Sequence, residues 1–174
     1  MADAYVIRQA VVADAAALRE LRLEALQAHP EAFGSDYESE VVQTAADWEK
    51  RIADQSVAAI FVAEAGLRLI GMCGLAGNTR AKLRHVSMIW GVYVRPAWRG
   101  RGVSAALLAS VEVLARARGQ LYVKLAVITS NAPAIRAYER AGFQRYGVEP
   151  CVIRLGDVCY DELLMAKQVQ GAAM

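Results

Sequence analysis

The stretch from Val92 to Ala106, V-Y-V-R-P-A-W-R-G-R-G-V-S-A-A, decides how this chain is organised. It begins as an apolar strand, breaks at Pro96, and crosses an Arg- and Gly-rich loop into an apolar helix. Such a junction points backbone N–H groups and the positive end of a helix dipole at one spot, which suits an anionic phosphate. Gly100 and Gly102 allow positive φ and a close approach of the backbone to a ligand. We therefore interpret the junction as an anion site.

Length and composition are those of an ordinary folded protein. The chain has 174 residues, of which 56% are hydrophobic and 22% charged, so we expect one domain over residues 1–174 with a real core. The net charge of +2 is too small to indicate a nucleic-acid partner. No apolar run reaches the roughly 18 residues of a membrane span, so we expect no membrane partner.

The three cysteines are far apart in the sequence. Cys73, Cys151 and Cys159 have no metal-ligand partners nearby, and neither His29 nor His85 forms a recognisable pair with any of them. We therefore expect no metal site, and we expect reduced, mostly buried thiols in a cytoplasmic protein.

Hydrophobic periodicity and turn signals predict seven strands and four helices, with an irregular segment, Glu31–Val42, after the first helix. The apolar strand His85–Val94 is predicted to be central and covered on both faces, with Trp90 and Val92 on the same face. The order of elements predicts an α/β fold: one mixed, mostly antiparallel sheet flanked by helices. The predicted strands are Tyr5–Arg8, Ala58–Ala65, Leu69–Leu75, His85–Val94, Leu121–Val127, Phe143–Val148 and Val158–Met165, and the helices start near Asp14, Thr44, Val103 and Ala132.

A second motif follows the next predicted parallel strand. It reads N-A-P-A-I-R-A-Y-E-R-A-G-F, from Asn131 through Tyr138 to Phe143. Taken alone, Asn131 fits a helix cap and Tyr138 a half-buried aromatic, just as the Arg99–Ser104 loop taken alone fits a plain connection with surface arginines. Both motifs, however, follow parallel strands, so both lie at the carboxyl edge of one sheet, where ligands bind in open α/β folds.

Together the two motifs resemble the GNAT superfamily of acyl-CoA-dependent N-acetyltransferases. The resemblance lies in R-x-x-G-x-S after a V-Y-V-x-P strand, followed by N-x-x-A-x-x-x-Y-x-x-x-G-F, and the order of elements matches over the whole chain. Ser104 stands where the family's commonest phosphate loop has Gly or Ala; a small hydroxyl fits there. The resemblance implies a single GNAT-like domain that transfers an acetyl group from acetyl-CoA to a primary amine of a small molecule or peptide.

The resemblance also implies roles for the donor side. The strand N–H near Gly91 or Val92 would polarise the thioester carbonyl. Tyr138 would act as general acid toward the departing thiolate, and Asn131 would touch the pantetheine arm or order the loop. The remaining implied donor residues are the strand residues Val92, Tyr93 and Val94 along the pantetheine arm, and Arg99, Gly100, Arg101, Gly102, Val103 and Ser104 around the pyrophosphate.

The acceptor side is less determined by the sequence. The central strand carries no Asp or Glu, so His85 at its start is one candidate for the base that deprotonates the substrate amine. Further candidate bases are Glu24, Glu31 and Glu38. We expect the acceptor pocket in the segment that carries Phe33, Ser35 and Tyr37.

Two other functions remain open from the sequence. Because the central strand has no carboxylate that could act as the base, the chain could also be a non-catalytic acyl-CoA-binding or regulatory domain. A nucleotide-binding module is disfavoured, because the loop lacks the P-loop lysine and no distal acidic ribose ligand is recognisable. The identity of the acceptor is not determined, and family analogy allows a homodimer through the last strands.

Overall fold

Strands and helices follow the predicted order along the chain. The structure is a computed structural model that describes residues 4–170. The strands are β1 (Val6–Gln9), β2 (Ala58–Ala65), β3 (Arg68–Ala76), β4 (Val86–Val94), β5 (Tyr122–Ile128), β6 (Gln144–Leu155) and β7 (Val158–Gln168). The α-helices are α1 (Ala15–Ala28), α2 (Tyr37–Val41), α3 (Ala45–Ala53), α4 (Val103–Ala117) and α5 (Ala132–Arg140).

The seven strands form one mixed sheet in the order β1-β2-β3-β4-β5-β7-β6. Only β4 and β5 pair in parallel; the other neighbours are antiparallel. The predicted α/β fold with a mostly antiparallel sheet of seven strands is confirmed. The described residues contain five α-helices, one more than predicted, because α2 is a five-residue helix inside the segment interpreted as irregular. The Asp36 carboxylate caps it by accepting a 2.7 Å hydrogen bond from the Ser39 N–H.

The sheet has a hydrophobic core on each face. One core joins α4 and α5 to the sheet, and Leu107, Leu125 and Met165 are fully buried in it. The other joins α1 and α3 to the opposite face, and Leu18 and Trp48 are fully buried there. Burial of both faces explains why the inner strands read as nearly continuous apolar runs.

The middle of β4 departs from its predicted environment. The prediction that this strand is covered on both faces is wrong there, because Trp90, Gly91 and Val92 are only half-buried and Met88 is exposed. The physical reason is that β4 and β5 pair only from Val86 to Met88, after which they separate. The separation leaves both strands without a neighbour on one side, and a cleft opens between them.

A β-bulge interrupts β4 at the same place. Trp90 pairs with Gly74 and Tyr93 pairs with Met72, so two β4 residues lie opposite the single residue Cys73. The bulge reverses the alternation: Trp90 packs against the α1 core and Val92 against the α4 core, so the prediction of one shared face is wrong.

The cysteines differ from the prediction in two of three cases. Cys73 is free and buried as expected, and burial raises the pKa of its thiol to about 12. Cys151 and Cys159 are exposed and joined in a disulfide with a Cα–Cα distance of 4.8 Å, so the prediction of reduced, buried thiols is wrong for both. They lie on neighbouring antiparallel strands, and a register shift in β6 between Glu149 and Ile153 brings them together.

Candidate functional site

The separation of β4 and β5 produces a cleft of about 590 Å³. Both predicted motifs reach it, because the loop before α4 and the first turns of α5 follow the two diverging strands. The wall residues that carry predicted roles are Val92, Tyr93, Val94, Arg99, Gly100, Val103, Ser104, Asn131 and Tyr138.

The floor of the cleft on the β4 side is the bulge. Gly91 has φ +63°, a left-handed conformation that a residue with a side chain adopts only at a cost. In a β-bulge the extra residue leaves the ladder of strand hydrogen bonds. The bulge thus presents backbone of Gly91 and Val92 to the cleft rather than to β3.

The N-terminus of α4 lies at the cleft without a side-chain cap. Its N-cap Gly102 has φ +82° and makes no capping hydrogen bond, whereas Thr44 and Asn131 cap α3 and α5 with their own side chains. The first N–H groups of an α-helix have no acceptor within the helix, and the positive end of its dipole lies beside them. These donors and the Gly-rich backbone before them are therefore suited to an anion such as a pyrophosphate.

Arg99 connects this loop to the end of α1. Its Nε donates to the Val94 carbonyl oxygen at 3.0 Å, and its Nη2 lies 3.1 Å from Nε2 of His29. A guanidinium can only donate, so His29 Nε2 accepts and the ring proton lies on Nδ1, which is 3.7 Å from a carboxylate oxygen of Glu31. The sequence reasoning missed His29 as a wall residue, because only folding brings the end of α1 beside the loop after β4.

Arg101 and Gly102 belong to the same loop but are not among the cleft-wall residues. The Arg101 guanidinium lies over the Trp98 ring, 5.0 Å from its centroid, and the Arg101 carbonyl accepts a 3.3 Å hydrogen bond from the Tyr5 hydroxyl. Trp98 also packs edge-on against Tyr5. These contacts brace the loop from outside the cleft.

Tyr138 projects from α5 into the cleft wall and is 8% exposed. Its ring packs edge-on against Phe143 with the centroids 6.2 Å apart. Within residues 4–170 no group accepts a hydrogen bond from its hydroxyl, and burial, with a smaller contribution from Cys73, raises its pKa well above the usual value. The hydroxyl therefore stays protonated over the ordinary pH range and can donate to a ligand atom in the cleft.

Asn131 combines both readings that the sequence left open. Its side-chain oxygen accepts a hydrogen bond of 3.2 Å from the Ala134 N–H, so it is the helix cap of α5. It also lines the cleft, where its amide nitrogen adds a polar group.

A second cavity of about 740 Å³ lies between the segment after α1 and the β6–β7 hairpin. The three residues predicted for an acceptor pocket, Phe33, Ser35 and Tyr37, all line it. Phe33 lines the cleft as well, so the two cavities meet at its ring.

The candidate bases are distributed unevenly around the cleft. His85 is exposed, precedes β4 at the end where β4 and β5 are still paired, and is not among the residues of either cavity wall. Glu24 is engaged elsewhere, because it accepts hydrogen bonds from the Tyr93 hydroxyl and the Arg95 guanidinium. Glu31 lines the cleft and Glu38 lines the second cavity. The structure thus does not bring His85 to the site.

The described part of the chain holds no group of three or more His, Cys, Asp or Glu side chains arranged for a metal ion. Among residues 4–170, no helix combines the length and the apolar character that crossing a membrane requires.

Known proteins resemble this chain in sequence. The model of the acetyltransferase (GNAT) family matches residues 18–143. The aminoglycoside N(6')-acetyltransferase type 1 of Stenotrophomonas maltophilia is 32% identical over 158 residues, which cover 83% of this chain and 89% of that protein. The L-amino acid N-acetyltransferase AaaT of Escherichia coli K12 is 29% identical over 145 residues, which cover 82% of this chain and 84% of that protein. For one further relative the match covers only 38% of that protein's length.

Solved structures share the fold over nearly the whole chain. The structure of yncA from Salmonella typhimurium with its cofactor acetyl-CoA superposes with a TM-score of 0.85 at 25% identity, covering 98% of this chain and 97% of that one.

Proposed function

This chain belongs to the acetyltransferase (GNAT) family, and from this premise we propose that it transfers the acetyl group of acetyl-CoA to a primary amine of a small molecule or peptide by direct attack. The observation that carries the proposal is the cleft between the separating strands β4 and β5, with the uncapped N-terminus of α4 at one end and the Tyr138 hydroxyl in its wall. We assign acetyl-CoA as the donor because the yncA structure, which superposes on this chain, contains it.

The residues present fit the donor. Backbone N–H groups of the Arg99–Ser104 loop and of the first turn of α4 bind the pyrophosphate, since no side chain competes for them. The β4 backbone from Val92 to Val94 runs along the cleft and pairs with the amide groups of the pantetheine arm. Bound acetyl-CoA supplies an acetyl group activated as a thioester. The bulge at Gly91 and Val92 orients a backbone donor toward the carbonyl oxygen of that group.

Tyr138 completes the transfer. As the amine nitrogen bonds to the carbonyl carbon and the carbon–sulfur bond breaks, the sulfur leaves with the electron pair, and the Tyr138 hydroxyl donates a proton to it. Among the predicted bases, Glu31 is the one on the cleft wall, so we assign it the amine proton in place of His85. Asn131 holds the first turn of α5 and contacts the pantetheine arm.

The acceptor enters from the second cavity, where Phe33, Ser35 and Tyr37 contact it. The two relatives above are named for aminoglycosides and for amino acids, both of which carry amino groups. This favours a small-molecule amine.

An acceptor panel tests the proposal. The full chain is mixed with acetyl-CoA and with amino acids, small amines, aminoglycosides or peptide N-termini, and free thiol is followed. Acceptor-dependent release of thiol is expected for at least one class. If acetyl-CoA binds in calorimetry but no amine releases thiol, the chain is instead a non-catalytic acyl-CoA-binding domain.

Two further features of the protein remain predictions. One is a homodimer through β6 and β7, which light scattering in solution tests. It is consistent with the exposed apolar side chains of these strands, Tyr146, Val148, Val152, Leu155 and Val158. A cytoplasmic location is the other prediction; disulfides such as the one between Cys151 and Cys159 are rare in that compartment, so fractionation of cells that express the protein tests it.

A further inference from the structure

Arg22 on α1 is a buried cation that the donor side of the site does not use. The residue is 5% exposed, and its Nε and Nη1 are buried without a hydrogen-bond partner in the described part of the chain. Its third nitrogen, Nη2, lies 3.9 Å from the nearest oxygen of Glu40, beyond hydrogen-bond distance. Burial lowers the pKa of Arg22, which reflects the cost of removing a charge from water. A buried guanidinium with two unused donor nitrogens is costly unless a ligand supplies acceptors.

Protein carboxylates compensate this charge only in part. Glu40 is shared by two guanidinium groups, because its other oxygen lies 3.7 Å from Nη1 of Arg51. Glu40 is itself buried, and its Oε2 has no hydrogen-bond partner among the described residues. The cluster of Arg22, Glu40 and Arg51 therefore carries one more positive than negative charge, and the more buried guanidinium, that of Arg22, is the one with buried nitrogens that have no partner among residues 4–170.

The Arg22 guanidinium is not itself in either cavity wall, but it lies directly behind two wall residues, Phe33 and Gly91. One of its faces is covered by the Phe33 ring, whose centroid is 4.8 Å from the guanidinium carbon. Its Nη1 lies 3.7 Å from the point that a Cβ on Gly91 would occupy, and among residues 4–170 it is the one atom outside the neighbouring residues within 4 Å of that point. Gly91 lines the cleft and Phe33 lines both cavities. The missing side chain of Gly91 thus leaves a space that is bounded by Nη1.

We infer that Arg22 binds the carboxylate of the acceptor, and hence that the acceptor is an α-amino acid or another amine with an adjacent carboxylate. The inference rests on the acetyl transfer proposed above. A carboxylate in the space beside Gly91 supplies an acceptor to Nη1, and paired guanidinium and carboxylate groups form hydrogen bonds about twice as strong as those between neutral groups. The α-amino nitrogen and the carboxylate of an amino acid are bonded to one carbon, so this pairing holds the amine beside the bulge at Gly91.

Charge also separates this acceptor from a polycationic one. A second ammonium group placed beside the guanidinium would add repulsion in a poorly solvated place. The acidic residues of the second cavity do not offset this, because Asp36 is occupied as the cap of α2 and Glu38 is exposed to water. The Arg22 end of the site therefore selects for a negative charge next to the reacting amine.

The test compares an amino acid with acceptors that lack its carboxylate. The full chain is given acetyl-CoA with an L-amino acid, its α-carboxamide, the corresponding decarboxylated amine, or an aminoglycoside, and kcat/KM is measured from thiol release. We expect the amino acid to exceed its carboxamide by about 10- to 100-fold, the range of a charged hydrogen bond lost from a buried site.

Two variants assign the preference to a residue. Arg22→Gln should abolish most of the difference between amino acid and carboxamide, mainly through KM. Arg51→Gln is the matched control, because it removes a guanidinium from the same Glu40 but not from the side of Gly91, and it should keep the preference. Thermal unfolding reports whether each variant folds; if Arg22→Gln does not, the ratio measured with the unaltered protein decides.

The outcomes separate the two proposals. Acetylation of amines without preference for the carboxylate, or preference for the aminoglycoside, would overturn the inference and leave the transfer intact. Equal preference in Arg22→Gln and the unaltered protein would remove Arg22 from the site. If no acceptor gives thiol release, the acetyl transfer itself is refuted, and the role of Arg22 with it.

Discussion

Removal of one oxygen atom from Tyr138 tests the chemistry of the cleft most directly. In Tyr138→Phe the ring remains and keeps its edge-on contact with Phe143. The lost hydroxyl has no acceptor within residues 4–170, so its removal leaves no buried partner unpaired and should change the stability by less than about 1 kcal/mol. The variant therefore isolates the proton donor from the packing of α5.

The expected loss of rate follows from the environment of the hydroxyl. General acid catalysis contributes about 10²- to 10⁴-fold to a rate. Burial raises the pKa of Tyr138 above its usual value, which makes the hydroxyl a weaker acid than an exposed tyrosine. We therefore expect a fall in kcat near the lower end, about 10²-fold, which is equivalent to about 2.7 kcal/mol of barrier. The same shift keeps the hydroxyl protonated, so this group should cause no loss of rate in the unaltered protein as pH rises to about 10.

The assay follows free CoA thiol at saturating amine, with acetyl-CoA binding measured separately by calorimetry. Cys73 adds little background, since it is buried and its thiol pKa is about 12. Tyr146→Phe serves as the control, because it removes a tyrosine hydroxyl from an exposed position on β6. An unchanged kcat in Tyr138→Phe would refute the general-acid role, and a collapse of acetyl-CoA binding would show that Tyr138 is structural.

Three further perturbations test the loop, the bulge region and the fold. Gly102→Glu should weaken acetyl-CoA binding by more than about 100-fold in calorimetry, because its carboxylate competes for the N–H groups at the start of α4. The control Gly102→Ala has the same cost of positive φ, about 1–2 kcal/mol, without the charge, so equal affinities of the two variants would contradict pyrophosphate binding at this loop. Gly74→Ala should lower the unfolding free energy by about 1–3 kcal/mol in urea, because its Cβ would meet the Trp90 ring, whereas Gly34→Ala has open space and should not. Asp14→Asn should lower the free energy of unfolding at neutral pH and make it depend less on pH in the acid range. The guanidinium of Arg8, which is hydrogen-bonded to Asp14, lowers the pKa of that carboxylate, so its contribution to stability is present above the unfolded pKa of about 4 and is lost as pH falls through the folded value. Identical acid unfolding midpoints would contradict this.

Much of the site could be predicted because its parts are local in the sequence. The loop from Arg99 to Ser104 and the start of α5 at Asn131 each follow a strand directly, and turn residues and helix signals mark both. Phe33, which the character of its segment predicts for an acceptor pocket, lines both cavities, and its contact with an acceptor stays a prediction. His85 lies outside both cavity walls, and the sequence could not indicate this, because a strand residue's place along the cleft depends on where two strands separate.

The sequence-based prediction failed where an extra residue in a strand, or a partner distant in the sequence, determines which face or neighbour a side chain has. The bulge that turns Trp90 and Val92 to opposite faces depends on the pairing of β4 with β3. The contact between Cys151 and Cys159 depends on a register shift within β6. Strict alternation and cysteine spacing contain neither fact, since both arise from hydrogen bonding between strands.

The sequence by itself determined the order of elements, the mixed sheet and the two motifs that flank the cleft, because propensity, hydrophobic period and turn chemistry act over a few neighbouring residues. Only the tertiary structure determined which α1 side chains lie beside the cleft. Arg22 contacts the space beside Gly91, and His29 contacts Arg99, 70 residues away along the chain. Such pairs exist only because helix α1 packs across the face of β4, and the uncompensated charge of Arg22 becomes visible only once packing has removed it from water.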